Sequence, residues 1–403
     1  MDKTVIIGGG AAGFFAAISI AEHRPGGDII ILERGRAVLE KVRISGGGRC
    51  NVTHACFDPG ELVQFYPRGS RELLGPFHKF ACGDTMGWFA DRGVALKIEE
   101  DGRVFPKSNS SQTIIDCLWR EAKQRGVKVV TGARVTDVSP PALRRPNWRI
   151  KVGEEWLESD RLVVTTGSNP AVWKLLGELG HRIVDPVPSL FAVNIADRAL
   201  RALAGISLPW VHLEVEGGKL QADGPLLITH KGLSGPAVLR LSAWGARELH
   251  PLSYAFDLRV NWLARRAKEV GEEISANRES RSRQQIGSRS PVELPQRLWQ
   301  MLVASAGIAA DLQWAQLSNA ALADLVAGLT GSVYRVIGKA TNKDEFTTAG
   351  GVALDEIDFR SFRSKRYDSL YLAGEVLDID AITGGFNFQA AWTGGWLIGR
   401  DLE

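Results

Sequence analysis

The residues best spaced for chemistry lie within the first 51 positions of the chain. Gly8-Gly9-Gly10-Ala11-Ala12-Gly13 follows a short apolar run, Thr4-Val5-Ile6-Ile7. In such a string Gly8 permits a tight turn, Gly10 lets the backbone approach a pyrophosphate, and Gly13 lets a helix pack close to a strand. The helix that begins there, at Ala12 and Gly13, offers unpaired N–H groups to phosphates. Glu33 stands 20 residues beyond Gly13, where a carboxylate accepts the hydroxyls of an adenosine ribose. A second glycine cluster follows, Ser45-Gly46-Gly47-Gly48-Arg49-Cys50-Asn51. The chemistry implied is binding of an adenine dinucleotide.

Particular elements must position these residues. They are a strand, a glycine turn, a helix with apolar Phe14, Phe15, Ala17, Ile18 and Ala21, and a second strand, Asp28 to Leu32. Leu162 to Gly167 reads as a buried strand returning to the same crevice, since ligands of open α/β sheets bind at the carboxyl ends of strands. Ile114 to Gln124 is helical by apolar spacing, and Arg134 to Val138, Trp148 to Val152 and Glu154 to Leu157 read as a meander. Strands then dominate: Phe191 to Ile195, Val211 to Val215, Leu226 to Thr229 and Tyr254 to Val260. An Arg- and Ser-rich stretch over 275–290 reads as a solvated loop, and helices follow near 293–306 and 318–328. Ser369 to Glu375 is a last strand, and Thr383-Gly384-Gly385-Phe386-Asn387 opens a helix to about Gly399. The expected fold class is α/β. A three-layer Rossmann-like dinucleotide domain is split as 1–190 and 341–403. It carries an inserted β-rich domain, 191–262, and a small helical subdomain with a return strand, 263–340.

Composition sets bounds. With 403 residues, 44% hydrophobic, the chain can bury a large core in two or three domains. A net charge of +3 is too small to imply nucleic acid or membrane, so neither is expected as a partner. The apolar run before the first glycine is too short for a signal peptide, and no stretch approaches the roughly 18 apolar residues of a membrane span. A cytoplasmic protein is expected. Four cysteines show no paired metal spacing and no dense disulfide framework, so no metal is expected. Twelve tryptophans against five tyrosines carry no functional reading by themselves.

Several strings together resemble one family. They are Gly8 to Gly13; Lys41 with Ser45 to Asn51; Gly102-Arg103-Val104-Phe105-Pro106; Thr229 to Pro236; Thr348-Ala349-Gly350-Gly351-Val352; and Leu372-Ala373-Gly374-Glu375 through Asn387. Over nearly its whole length the chain resembles the BaiN-like flavoproteins, also called the aminoacetone oxidase family of FAD-binding enzymes. The resemblance implies FAD as cofactor. By matching position Gly8, Gly10, Ala12 and Gly13 would hold its pyrophosphate, and Glu33 its ribose, with Arg34 and Lys41 nearby. Val135 would bond adenine through its backbone, and Thr166 and Gly167 would pack on the adenosine half. Gly374, Glu375 and Asp378 would reach the pyrophosphate and ribityl chain. Gly46, Gly47, Gly48, Arg49, Cys50 and Asn51 would lie along the ribityl and ring region, and Gly385, Phe386 and Asn387 at the flavin N1 and O2 edge. The chain departs from the family at His54, where Asn is usual, at a shortened Asn169 to Trp173, and at Arg363 to Arg366.

The resemblance predicts an enzyme, an FAD-dependent oxidoreductase moving a hydride between a small organic substrate and flavin N5. The substrate cavity is expected between the FAD domain and the insert. With no dedicated nicotinamide domain in the sequence, an oxidase of small amines or aminoketones using oxygen comes first. An NAD(P)H-fed reductase of an enone or steroid-like acceptor comes second, and a flavin-dependent tRNA-modifying protein third. A redox dithiol is disfavoured, because Cys50 and Cys56, with five residues between them where four is usual, would be separated by about 9 Å of helical rise. Arg49 can pair with a carboxylate or a phosphate, or serve packing alone. His230 is a candidate base, with a turn-holding role favoured. No catalytic acid or base is assigned.

Overall fold

The computed structural model describes residues 2–340 and 347–401. Its contacts divide the chain into two units, Met1–Pro186 with Thr348–Glu403, and Val187–Thr347. The expected return to the first domain at residue 341 lies outside the described residues.

The first unit is built on a seven-stranded sheet. Its elements begin with β1 (Lys3–Ile7), α1 (Ala11–His23), β2 (Asp28–Leu32) and α2 (Glu40–Gly48). They continue with β3 (Lys128–Val130), β4 (Arg161–Val164), β5 (Leu370–Leu372) and α3 (Phe386–Asp401). The order runs Ile357–Asp358, Arg363–Ser364, β5, β4, β1, β2, β3. Pairing from β5 to β3 is parallel throughout. Central parallel strands are covered on both faces, which is why β1 and β4 read as unbroken apolar runs: Val5, Ile6 and Val163 are fully buried. Val135–Ser139, Trp148–Val152 and Glu155–Ser159 form a separate antiparallel sheet that buries Trp148 and Ile150.

Helix α1 is hydrophobic nearly all round, because α3 packs along it and covers the side the sheet leaves. Glycines set the spacing. A Cβ at Gly395 would stand 2.9 Å from the Ala12 carbonyl oxygen, and one at Gly399 only 2.1 Å from Ser19 Oγ. The Ser19 hydroxyl donates to the Trp396 carbonyl at 2.9 Å, across the same contact.

The second unit is a closed antiparallel barrel in the order Val193–Ile195, Gly232–Ser234, Gln221–Ile228, Ser207–Val215, Ala255–Asn261, Ser332–Lys339. Val193 opposite Lys339 closes it. Alternate residues point inward, as Phe256, Leu258 and Val260 do, and one core joins them to Leu298, Trp299, Leu325 and Leu329 of the helices. The solvated loop expected over 275–290 is corrected at its start. Ala267–Ser280 is a helix, seated by Val270 and Ile274, four apart on one face and fully buried. Two apolar anchors under a charged surface leave little periodicity to read.

The tryptophans have a structural account. Trp148, Trp262, Trp299, Trp314 and Trp392 are fully buried core bulk. The indole N–H of Trp392 donates to the Val52 carbonyl at 2.9 Å, and that of Trp299 to the Ile286 carbonyl at 2.8 Å.

One buried polar cluster makes stability depend on pH. His181 is fully buried, with Nδ1 at 2.6 Å from Glu356 Oε2 and Nε2 at 3.3 Å from Ser364 Oγ. Burial holds its pKa below the usual histidine value, although Glu356 pulls it back up. The unfolded chain therefore binds the proton more tightly. This stability is full above about pH 6.5 and is lost as pH falls through the folded pKa. Thermal melts should show a lower midpoint at pH 5.5 than at pH 7.5, and His181→Gln should flatten that dependence.

Candidate functional site: a crevice at the strand ends

The crevice begins where β1 turns into α1. Gly10 caps the helix in extended conformation, with no side-chain cap bond and no acid in the first turn. The first-turn N–H groups are thus left for an external acceptor. The three glycines differ in cause. Gly8 has φ +112°, and a Cβ on it would lie 2.5 Å from the Thr165 carbonyl oxygen. A Cβ on Gly13 would lie 2.0 Å from the Gly8 carbonyl oxygen. A Cβ on Gly10 would meet nothing within 4 Å. Protein packing requires the first two. Gly10 instead keeps clear the space in front of the helix, a cradle that suits a pyrophosphate.

Glu33 follows β2. Its Oε2 accepts from Gly9 N–H at 2.9 Å and its Oε1 from Gly35 N–H at 2.7 Å. Two backbone donors fix the carboxylate and leave further lone pairs on both oxygens. Arg34 beside it is exposed. Ala133 N–H donates to the Glu33 carbonyl at 2.8 Å, and Val135 opens its strand two residues later.

The ends of β4 and β5 and the side chain of Lys41 on α2 come together. Lys41 forms an ion pair with Glu375. Gly167, at φ +62° after Thr166, would direct a Cβ to 3.7 Å from Glu375 Oε2 and 3.9 Å from Lys41 Nζ. A Cβ on Gly374 would stand 3.3 Å from that of Ala12. Asp378 is half-buried, and its N–H donates to the Val352 carbonyl at 3.0 Å.

Helix α2 breaks at Ser45, and Gly46, Gly47 and Gly48 are all left-handed at φ +57°, +67° and +82°. The three are exposed, and Cβ atoms on Gly47 and Gly48 would meet nothing. Arg49 is placed among its three open roles as a carboxylate partner. Its Nη1 donates to Glu99 Oε1 at 2.7 Å, and its guanidinium lies 4.0 Å from the Phe105 ring centre. Cys50 is fully buried, and burial pushes its thiol up to about 12. Cys56 is pushed to about 11 by the same cause. All four cysteines are free, and neither of these two is a thiolate near neutrality.

Asn51 links this loop to the start of α3. With its amide oriented to suit its neighbours, its nitrogen donates to the Val104 and Thr53 carbonyls and its oxygen accepts from Gly385 N–H at 2.9 Å. A Cβ on Gly385 (φ +91°) would lie 2.7 Å from the Thr53 backbone, so the two loops touch main chain to main chain. Phe386 stacks on Phe65 at 4.3 Å and on His54 at 4.8 Å. The Asn387 amide is turned back onto Ala381, accepting from its N–H at 2.9 Å and donating to its carbonyl at 3.1 Å.

Sequence reasoning missed two supports of this loop. Arg68 forms a two-pronged ion pair with the fully buried Asp380. Gln389 Oε1 accepts from the hydroxyls of Thr53 at 2.6 Å and Thr85 at 2.9 Å. Asp380 sits two residues past Asp378, but no local pattern points to a partner 312 residues away. His230, in the second unit, lies exposed in a turn that Thr229 closes by accepting from Gly232 N–H at 3.1 Å.

A parallel sheet, an uncapped helix at a glycine turn and a fixed acid after β2 define a dinucleotide-binding Rossmann protein. The chain belongs to the family described as HI0933-like protein Rossmann domain, whose model matches residues 2–401. It is an FAD-dependent oxidoreductase. A 3-dehydro-bile acid delta(4,6)-reductase of Clostridium scindens is 26% identical, covering 99% of this chain and 98% of its own. A ribosomal RNA dihydrouridine synthase of Haemophilus influenzae is 28% identical, covering 100% and 98%. A 3-ketosteroid-delta4-(5alpha)-dehydrogenase from Rhodococcus jostii, in complex with 4-androstene-3,17-dione, shares the fold at a TM-score of 0.52 with 13% identity, covering 100% and 97%. Among the described residues no helix is long and apolar enough to cross a membrane.

The open space at Gly10 generates a sharp expectation. Gly10→Ala should leave the thermal stability of the FAD-free protein within about 1 kcal/mol of wild type, since the new methyl meets no protein atom. FAD affinity, followed by flavin fluorescence quenching, should fall by about tenfold or more, at about 1.4 kcal/mol per factor of ten.

Proposed function

We propose that this protein reduces a carbon–carbon double bond conjugated to a carbonyl, with a reduced nicotinamide supplying the electrons through FAD. The observation that carries this reading is a shared reaction type among end-to-end relatives. A bile-acid delta(4,6)-reductase and a dihydrouridine synthase act on unrelated scaffolds, yet in each the bond reduced is conjugated to a carbonyl. The small-amine oxidase placed first in the sequence reading has no comparable support.

In this reading Gly8, Gly10, Ala12 and Gly13 hold the pyrophosphate at the start of α1, and Glu33 takes the adenosine ribose with Arg34 alongside. The Val135 backbone meets adenine, and Thr166 and Gly167 back the adenosine half. Gly374, Glu375 and Asp378 line the pyrophosphate and ribityl path, with Lys41 balancing the Glu375 charge. Gly46 to Asn51 approach the ring by backbone, and Gly385, Phe386 and Asn387 present the first-turn N–H groups of α3. Held by these residues, FAD would supply hydride transfer through N5, between the donor and the carbon β to the acceptor's carbonyl, with a proton going to the α carbon. The positive end of α3 stabilises negative charge at the N1 and O2 edge by about 0.3–1 kcal/mol, or up to about 2 when partly buried. That favours the reduced form. A pool of reduced nicotinamide and four free thiols fit a cytoplasmic setting.

Stopped-flow reoxidation tests this. After anaerobic reduction by NADPH, a 4-en-3-one steroid or uridine-containing RNA should reoxidise the enzyme about tenfold or more faster than air-saturated buffer, a barrier difference of about 1.4 kcal/mol. Rapid reoxidation by oxygen with peroxide release, and none by either acceptor, would return the oxidase reading.

A further inference from the structure

The loops that follow β2 and β3 run side by side at the strand ends. Glu33 N–H donates to the Val130 carbonyl at 2.9 Å, Ala133 N–H to the Glu33 carbonyl at 2.8 Å, and Gly132 N–H to the Gly35 carbonyl at 2.8 Å. Three arginines stand on this joined pair. Arg34 and Arg36 flank Gly35 on one loop, and Arg134 follows Ala133 on the other. All three are exposed. Among the described residues none of their side chains has an ion pair, a hydrogen bond or a ring contact. The acids along these loops are engaged elsewhere. Glu33 is held by the Gly9 and Gly35 N–H groups, Glu40 lies 3.6 Å from Arg43, and Asp137 stands opposite Lys151 on its own sheet. A single exposed arginine is ordinary. Three without acids, where the crevice opens beside Glu33, leave a local excess of positive charge.

We infer that Arg34, Arg36 and Arg134 form an electrostatic collar that draws the FAD pyrophosphate to the crevice, setting how fast the cofactor arrives and not how tightly it is held. The rest of the crevice offers a dianion little attraction at a distance. Lys41, Arg49 and Arg68 are each neutralised by an acid, and Glu33 adds a charge of the wrong sign. The dipole at the start of α1 acts strongly only within its first turn. A cleft mouth lined by one sign of charge raises the encounter rate of an oppositely charged ligand by about 10- to 1,000-fold. Guanidinium groups stay charged at any working pH, so the field is permanent. Arrival and retention are thereby divided between two kinds of donor. The free guanidiniums act at long range, and the packed main chain takes over at contact. Guanidiniums left mobile in solvent lose no side-chain entropy when the cofactor seats. Their role rests on the adenosine placement at Glu33 proposed above.

The test is stopped-flow quenching of flavin fluorescence as FAD-stripped protein takes up FAD, with release followed on dilution of the FAD-loaded protein. Arg36→Ser with Arg134→Ser leaves Arg34, beside the ribose, untouched. At about 10 mM salt, where charges act over about 30 Å, this variant should associate about fivefold or more slowly than wild type. At about 1 M, where they act over about 3 Å, the two should associate within about twofold of each other. Their release rates should agree at both salt concentrations. Arg36→Lys with Arg134→Lys keeps the charge and should restore wild-type association. An unchanged association rate in the serine variant at low salt overturns the inference. So does faster release from either variant, which would make these guanidiniums contacts of bound FAD. Glu33→Gln reports separately on the ribose and should speed release. If it does not, and the serine variant is still slow to associate, the collar stands and the ribose placement falls.

Discussion

The structure depends on how closely α1 approaches its two neighbours. Gly13 brings the helix so near β1 that a single methyl there would overlap the Gly8 carbonyl. On its other side Gly395 and Gly399 bring α3 to main-chain distance. Held at both surfaces, α1 cannot shift or tilt without breaking packed backbone, so its first turn stays pinned at the carboxyl ends of β1 and β4. The same contact fixes α3, which starts where Gly385 presses on the Thr53 backbone. One set of glycines therefore sets the position of two helix N-termini.

That geometry assigns the electrostatics. Three of the cationic side chains around the crevice already have partners, Lys41 with Glu375, Arg49 with Glu99 and Arg68 with Asp380, while Arg34 is exposed beside Glu33. Glu33 is oriented by two backbone N–H groups. What the site presents to an anion is therefore largely main chain, the first-turn N–H groups of α1 and the positive end of α3. Backbone donors on packed elements lose little entropy when a ligand arrives, whereas long side chains would have to be ordered. The buried pair Arg68–Asp380 and the Gln389 hydroxyl contacts serve this arrangement by holding the loop that leads into α3.

What could be read from the sequence follows from how local each feature is. Gly8 to Gly13, β2 and Glu33 lie within 33 residues and carry their turn, helix and acid signals in order, so strand, helix and candidate site were legible together. The start of α3 at Phe386 was legible for the same reason, its glycines preceding it directly. The barrel's closure was not, because Val193 meets Lys339 across almost the whole insert and pairing at that distance leaves no periodic mark. Ala267–Ser280 escaped because only Val270 and Ile274 are buried in it. Arg49 could be singled out but not placed, since its partner Glu99 is 50 residues away.

The central claim is that the crevice between α1 and the ends of β4 and β5 holds FAD through backbone donors. Its most direct measurement is the flavin content of the purified protein, by absorbance and by chromatography of the released cofactor, before and after incubation with FAD. The account predicts one FAD per chain, released on unfolding and retained at high salt, because its contacts are main-chain hydrogen bonds more than exposed ion pairs. A colourless protein that takes up no FAD on incubation would contradict it.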